Sequence, residues 1–247
     1  MKVPTVAKNG PSGTEVAEFY DEFAKSQIRT GLNLRHYLLH DHIIKSGLKR
    51  NHDILEIGCG VGTFTKLLLG YVKKGGSVLG VDISKTNIAI ATKELGSTNA
   101  SFMVSDMTSF EVTKKFDYIV MLDVLEHIPI EQHQELFKIF KAHLKNDGTI
   151  FINIPHHNSL DYARIDRPEK LQIIDQSLTT DLLIQPIYGN GLEIKSLISQ
   201  PIFFEEPDYQ RIIIKPQRTL QSMHPVGTGN IILKKSFLRL KAFFNNL

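Results

Sequence analysis

The chain has 247 residues, of which 42% are apolar and 22% are charged. These proportions suit one globular α/β domain that is large enough for a single core. One cysteine excludes a disulfide scaffold and fits a reducing, cytoplasmic location. No run is long and apolar enough to cross a bilayer, and residues 1–14 do not resemble a signal peptide and are expected to be disordered.

The formal net charge of +3 is unevenly distributed. Residues 211–247 contain seven Lys/Arg and no Asp/Glu, so they carry +7 and leave −4 on residues 1–210. A mildly acidic body gives no reason to expect nucleic acid as a partner.

The first elements of the chain are two predicted helices, at residues 14–24 and 33–46, the second ending at Gly47. Aromatic spacing favours a core position for Tyr20. Arg35 lies beside apolar neighbours and needs a carboxylate partner. His36 and His40 are four residues apart, and we interpret them as a solvated or satisfied helix face rather than a metal site.

Residues 53–64 combine an apolar run, the carboxylate of Glu56, three alternate glycines and the start of a helical pattern. This order predicts a buried strand, a tight turn and a helix N-terminus. Backbone N–H groups are expected to face a ligand there. A dinucleotide or an adenosyl compound would suit the turn, but the dinucleotide spacing Gly-x-Gly-x-x-Gly is absent, since the third glycine is Gly62.

This stretch resembles the first motif of class I S-adenosylmethionine-dependent methyltransferases, acidic-x-Gly-x-Gly-x-Gly. The resemblance implies a Rossmann-like, doubly wound seven-stranded sheet, mostly parallel with one antiparallel strand. It also implies that residues 15–47 form a helical cap across the open end of the sheet. The cofactor would be S-adenosyl-L-methionine and the product S-adenosyl-L-homocysteine.

The next predicted strand, residues 77–81, ends at Asp82, twenty positions after the last glycine, where a carboxylate binding the ribose is expected. A helix at 85–95 follows, with Ser84 as its N-cap. After a strand at 101–104, the resemblance places Asp106 on the adenine amino group and Met107 against its ring. The cofactor contacts it implies are Arg35, Glu56, Gly58, Cys59, Gly60, Gly62, Asp82, Ile83, Asp106, Met107 and Leu122.

A nearly continuous apolar strand at 116–122 leads to the segment 123–129, which should face the transferable methyl group. A helix at 129–144 and a strand at 149–154 come next. We expect His127 and His156 to meet at the acceptor and remove a hydroxyl proton. Asp123-x-x-Glu126-His127 also resembles metal-binding relatives, namely ubiquinone-biosynthesis O-methyltransferases and small-RNA terminal 2′-O-methyltransferases, in which His156 would complete the site; this divalent metal is the less favoured alternative.

Residues 156–178 are predicted to be a substrate-shaping insertion, helical at 169–174. A helix at 180–188 and strands at 192–199 and 209–215 would complete a methyltransferase domain over residues 15–220. Residues 221–247 form a predicted basic amphipathic tail. It can dock as a final helix or in a dimer, and binding to a membrane surface is the less favoured of these options.

The predicted function is methyl transfer to a small or medium-sized acceptor, with a hydroxyl oxygen favoured. N- or carboxyl-methylation stays open. An NAD-dependent oxidoreductase and a non-catalytic adenosyl-binding module are the alternatives of other classes. The oligomeric state is left open.

Overall fold

A computed structural model describes residues 13–73, 75–97, 99–106, 110–219 and 225–245. The chain divides into two compact units, Met1–Gln217 and Arg218–Leu247. Within the described ranges, no helix is both long and apolar enough to span a membrane.

The first unit is built on one seven-stranded sheet, in the order β3-β2-β1-β4-β5-β7-β6. Strand β7 runs antiparallel to both of its neighbours, β5 and β6, whereas the pairs among β1 to β5 are parallel. This arrangement confirms the predicted fold class. The strands are β1 (Asp53–Ile57), β2 (Ser77–Asp82), β3 (Ala100–Val104), β4 (Phe116–Leu122), β5 (Leu144–Pro155), β6 (Leu192–Gln200) and β7 (Tyr209–Pro216).

Helices cover both faces of the sheet, because the central strands bury side chains on each side. Side chains of α5 and α7 belong to one apolar cluster, and those of α2 and α3 belong to another. The helices are α1 (Gly13–Thr30), α2 (Leu34–Lys45), α3 (Thr65–Tyr71), α4 (Lys85–Leu95), α5 (His133–His143), α6 (His157–Asp166), α7 (Thr180–Tyr188) and, in the second unit, α8 (Thr228–Asn245).

Local capping fixes the ends of several helices. Asn33 accepts a hydrogen bond from the His36 N–H, and the His36 side chain accepts one from the Asn33 N–H, which forms a capping box before α2. Ser84 accepts from the N–H of Asn87 and caps α4, as predicted. Gly31, with φ +57°, ends α1.

Several predicted boundaries were wrong. Helix α1 begins at Gly13 and continues to Thr30, so Gly13 and Thr14 are helical, while residues 1–12 of the predicted disordered segment lie outside the described residues. Pro129 is extended (ψ 135°), so the chain makes short 3₁₀ turns at Leu125–His127 and Ile130–Gln132, and α5 starts only at His133.

The helix of the 156–178 insertion also lies elsewhere than predicted. It occupies His157–Asp166, because the His156 side chain caps it by accepting a hydrogen bond from the Asn158 N–H. Only a 3₁₀ turn at Pro168–Lys170 touches the predicted helical range 169–174.

Candidate active site

The glycine turn follows β1 at the carboxyl edge of the sheet. Gly58, Gly60 and Gly62 all have positive φ, at 71°, 54° and 84°, the left-handed region that favours glycine. A Cβ added at Gly60 would lie only 2.5 Å from Gln27 Oε1. The turn therefore gives close backbone approach that a larger residue would block.

Hydrogen bonds within the protein already use the N–H groups of this turn. Gly58 and Cys59 donate to the Val81 carbonyl at 2.8 and 3.0 Å, and Gly60 donates to Asp82 Oδ2 at 2.8 Å. Val61 donates to Gln27 Oε1 at 3.3 Å. The expectation that these N–H groups face a ligand was therefore wrong, because their hydrogen-bond acceptors lie at the end of β2 and on helix α1. The glycines contribute room beside the backbone rather than hydrogen-bond donors.

Asp82 accepts hydrogen bonds from the glycine turn, from the N-cap of α4 and from the first turn of α4. Besides the Gly60 N–H, its carboxylate accepts the Ser84 N–H at 2.9 Å and the Asn87 side-chain amide at 3.2 Å. The side chain is 9% exposed and lines the adjoining cavity. One carboxylate thus fixes both the glycine turn and the start of α4 while facing the ligand space.

Glu56, the carboxylate before the turn, is buried. Its Oε2 accepts a hydrogen bond of 2.6 Å from the Thr65 hydroxyl at the start of α3. Burial raises the pKa of Glu56 to about 8; the Thr65 hydrogen bond opposes this shift and the Asp82 charge adds to it. The side chain is therefore largely a neutral carboxylic acid at neutral pH.

This burial predicts a pH dependence of stability that Glu56→Gln should reduce. An unfolded glutamate titrates near pH 4.3, so between about pH 4.3 and 8 the folded state keeps a proton that the unfolded state releases. The free energy of unfolding should fall as pH rises through this window, by on the order of 4 kcal/mol from this group. Urea denaturation at several pH values should show that the free energy of unfolding depends less steeply on pH in Glu56→Gln than in wild type. The exposed substitution Glu111→Gln should leave this dependence unchanged. Equal slopes in wild type and Glu56→Gln would contradict the assignment.

Arg35 and Asp123 form an ion pair in the cavity wall. The Arg35 guanidinium also lies 5.3 Å from the ring centroid of Tyr209. Asp123 has φ +54°, and it is held by its N–H to the Asn153 carbonyl and by the Asn153 side-chain amide to Oδ1. A left-handed non-glycine residue costs about 1 kcal/mol or more, and here it directs a carboxylate at Arg35.

His127 lies in the 3₁₀ turn after β4 and is 8% exposed. Its Nδ1 bonds the Ile174 carbonyl and lies 3.2 Å from Asp175 Oδ1. Because a carbonyl only accepts hydrogen bonds, Nδ1 carries a proton. Nε2 lies 3.7 Å from Glu126 Oε1 and has no hydrogen-bond partner among the described residues. In the neutral ring, Nε2 therefore holds a lone pair.

Opposing effects set the pKa of His127. Burial alone would lower it, but the Glu126 charge, the hydrogen bonds to Asp175 and Ile174, and the Asp175 charge together raise the pKa above its usual value. Burial raises the pKa of Glu126 in turn. The His127 imidazole is thus more basic than a free histidine.

The segment that follows α6 contributes Gln172 and Ile174 to the cavity wall. The Tyr20 hydroxyl donates to Gln172 Oε1 at 2.8 Å. Arg164 on α6 holds this segment through Ser177 Oγ and the Asp175 carbonyl, both at 2.5 Å. Residues of the insertion thereby fix the partners of His127.

These elements enclose a cavity of about 660 Å³ between α1, α2 and the carboxyl ends of the strands. The volume is in the usual range for small-molecule sites. Of the predicted residues, those that line it are Arg35, Glu56, Gly58, Cys59, Gly60, Asp82, Ile83, Asp106, Leu122 and His127.

Residues 54–148 match the family model described as a methyltransferase domain. Over this region the chain is similar to S-adenosylmethionine-dependent methyltransferases. The resemblance noted in the sequence is confirmed.

Relatives of the methyltransferase domain act on different acceptors, as their names state. The chain is 30% identical to (S)-coclaurine N-methyltransferase of Papaver somniferum over 48% of this chain and 34% of that protein. It is 28% identical to the ubiquinone biosynthesis O-methyltransferase of Glaesserella parasuis over 45% of this chain and 49% of that protein. The chain thus spans less than half the length of these curated relatives.

Solved structures share the fold of the methyltransferase domain. A S-adenosylmethionine-dependent methyltransferase from Clostridium acetobutylicum superposes with a TM-score of 0.62 at 17% identity, covering 81% of this chain and 99% of that one. Magnesium protoporphyrin IX methyltransferase from Synechocystis, solved with bound SAH, gives 0.63 at 16% identity, covering 83% and 99%. At these identities the likeness concerns the fold alone.

Two of the predicted site residues do not belong to the cavity wall that the described residues form. His156 caps α6, stacks its ring 4.3 Å from that of His157 and donates its N–H to the Asp208 carbonyl, so it does not meet His127. Gly62 instead allows close packing, since an added Cβ would lie 2.6 Å from Leu95 Cδ1. Met107 lies outside the described residues.

The metal alternative does not fit the positions of these side chains. Asp123 pairs with Arg35, His127 is held by the insertion, and His156 is away from the cavity. No three His, Cys, Asp or Glu side chains in the described ranges are arranged to hold an ion.

Sequence reasoning missed several parts of the methyltransferase site. Tyr20, expected in the core, lines the cavity, as do Gln27 and Gln172. The sequence did not predict Asp175 as the partner of His127, because Asp175 is one of many polar residues in the insertion. The only usable signal was the position of that insertion after the fifth strand.

Proposed function

We propose that this chain transfers a methyl group from S-adenosyl-L-methionine to a hydroxyl oxygen of a small or medium-sized acceptor. The observation that carries the proposal is the position of His127, whose ring lines the same cavity as the glycine turn and Asp82. Cofactor residues and a base thus share one enclosed space.

The cavity fits an adenosyl cofactor along the carboxyl edge of the sheet. Asp82 would bind the ribose hydroxyls, Asp106 the adenine amino group, and the turn at Gly58–Gly60 would leave room for the methionine part. Arg35, which forms an ion pair with Asp123, would also bind the methionine carboxylate. When bound, the cofactor supplies an electrophilic methyl group on a sulfonium. Ile83, Cys59 and Leu122 supply the remaining predicted cofactor contacts on this wall.

His127 would act on the acceptor. In its neutral form the ring keeps the Nδ1 proton on the Ile174 carbonyl, so Nε2, which is buried near Glu126 without a hydrogen-bond partner among the described residues, would accept the proton of a hydroxyl group bound beside it. The resulting imidazolium would be stabilised by Asp175 and Glu126. The cavity wall also contains apolar and aromatic side chains, namely Val16, Tyr20, Ile128, Pro129, Ile174 and Tyr209.

An amine acceptor is the second candidate, and the charge of the cavity supports it. The wall contains the carboxylates of Asp82, Asp106 and Asp123, and Arg35 as a cation among its described residues, whereas Glu56 is largely neutral. Such a wall attracts a cationic amine and repels a carboxylate acceptor.

The proposal is tested by incubating the full chain with methyl-labelled S-adenosylmethionine and small-molecule extract, then identifying the labelled product by mass spectrometry. We expect the labelled product to be a methyl ether, which is stable to mild alkali and contains no methylated nitrogen. A methylated amine would support the second candidate. Calorimetric binding of NAD without binding of S-adenosylmethionine would contradict both, and cofactor binding without any labelled product would indicate a binding module.

A further inference from the structure

Helix α8 (Thr228–Asn245) is basic and carries no acidic residue. It contains Lys234, Lys235, Arg239 and Lys241, and no Asp or Glu occurs anywhere in residues 218–245. Its positive charge is therefore not balanced within this unit.

Most of the large apolar residues of α8 lie on one side, while Ile231 and Leu238 fall on the opposite side, between Lys234 and Lys235. At 3.6 residues per turn, six of them fall within an arc of about 140°. Each of the six is 58–70% exposed, and they are Ile232, Leu233, Phe237, Leu240, Phe243 and Phe244. On the same projection Lys234 and Lys241 border this face on one side, and Lys235 and Arg239 border it on the other.

We propose that α8 docks on the surface of a bilayer that contains anionic lipids. The apolar face would enter the boundary between headgroups and acyl chains, and the bordering Lys and Arg side chains would extend to the lipid phosphates. Both borders are cationic, as a helix lying flat at such a surface requires.

The charge of α8 favours an anionic bilayer over a second copy of the chain as its partner. Two α8 helices paired through their apolar faces would bring cationic borders together, and neither helix has an acidic residue to neutralise them. An anionic lipid surface neutralises all four cations at once. The membrane surface is therefore the partner that the sequence of α8 fits.

The test is co-sedimentation of the full chain with vesicles of phosphatidylcholine alone and of phosphatidylcholine and phosphatidylglycerol in equal parts. We expect roughly tenfold or stronger partitioning onto the anionic vesicles, decreasing as salt is added. Lys234→Glu/Lys235→Glu should abolish this preference, and Phe237→Ser/Leu240→Ser should abolish binding to both vesicle types. The matched control Lys66→Glu/Lys93→Glu changes exposed cations of α3 and α4 and should bind like wild type.

Folding of each variant is checked by circular dichroism and cofactor binding of the full chain. Equal partitioning onto both vesicle types, or binding lost equally in the control variant, would overturn the proposal. So would a wild-type dimer in solution that Phe237→Ser/Leu240→Ser dissociates, because the apolar face would then bind a second copy. Vesicle binding requires no methyl transfer, so this proposal and the proposed function fail independently.

Discussion

Asp82→Ala is expected to raise the dissociation constant for S-adenosylmethionine by about 100-fold or more. The carboxylate both faces the cavity and holds the Gly60 and Ser84 N–H groups and the Asn87 amide. Hydrogen bonds to a charged group each contribute about 1.5–3 kcal/mol, so losing the ribose contact and loosening the turn together should exceed 2.7 kcal/mol, the equivalent of 100-fold. Isothermal titration calorimetry measures the effect directly.

Two further variants separate binding from folding. Asp82→Asn keeps an oxygen acceptor for the Ser84 N–H and should stay folded while binding more weakly than wild type. Asp106→Ala removes an exposed carboxylate from the end of β3 and should cost only about tenfold in affinity. If all three variants bound like wild type, Asp82 would not contact the cofactor, and the proposed orientation of the adenosine would be wrong.

The sequence predicted well those features that depend on neighbouring residues. Helix α4 begins where Ser84 can cap it, and strand β4 coincides with an apolar run. The insertion helix was misplaced because its cap is a histidine, His156, which is not a usual N-cap residue. Local patterns therefore located the sheet and the glycine turn but not the start of α6.

The side-chain contacts within the site could not be predicted, since they join residues that are distant in sequence. Arg35 pairs with Asp123 only because α2 crosses the end of β4, where Asp123 adopts a left-handed conformation. Gln27 meets the glycine turn across 34 positions of chain. The pKa of His127 is raised by the adjacent Glu126, but the proton on its Nδ1 and the rest of the pKa shift come from Ile174 and Asp175, 47 and 48 positions later. Residue types at single positions suggested this chemistry, but tertiary packing selected which of them meet.

His127→Asn should reduce turnover by about 10²- to 10⁴-fold, the usual contribution of general base catalysis. Asparagine can still donate a hydrogen bond to the Ile174 carbonyl in place of Nδ1, but it has no atom equivalent to the Nε2 lone pair. Cofactor affinity measured by calorimetry should stay within about threefold of wild type, because the predicted cofactor contacts lie on other elements. His156→Asn is the matched control, and since His156 is outside the cavity wall formed by the described residues, its turnover should be unchanged.

The pH profile distinguishes a base on the protein from ionisation of the acceptor. His127 must be neutral to accept a proton, and Glu126 and Asp175 raise its pKa above the usual value near 6.5. In the wild type, kcat/KM should therefore rise with pH through an apparent pKa above 6.5 and then level off, and this rise should be absent in His127→Asn. A rise retained at the same pH in the variant would mean that the acceptor itself loses the proton, as an amine does, and that His127 is not the base. Because Asp175 helps to raise the pKa of His127 and is not itself the base, Asp175→Asn should move the wild-type rise to lower pH without abolishing turnover, an effect that loss of the base would not produce.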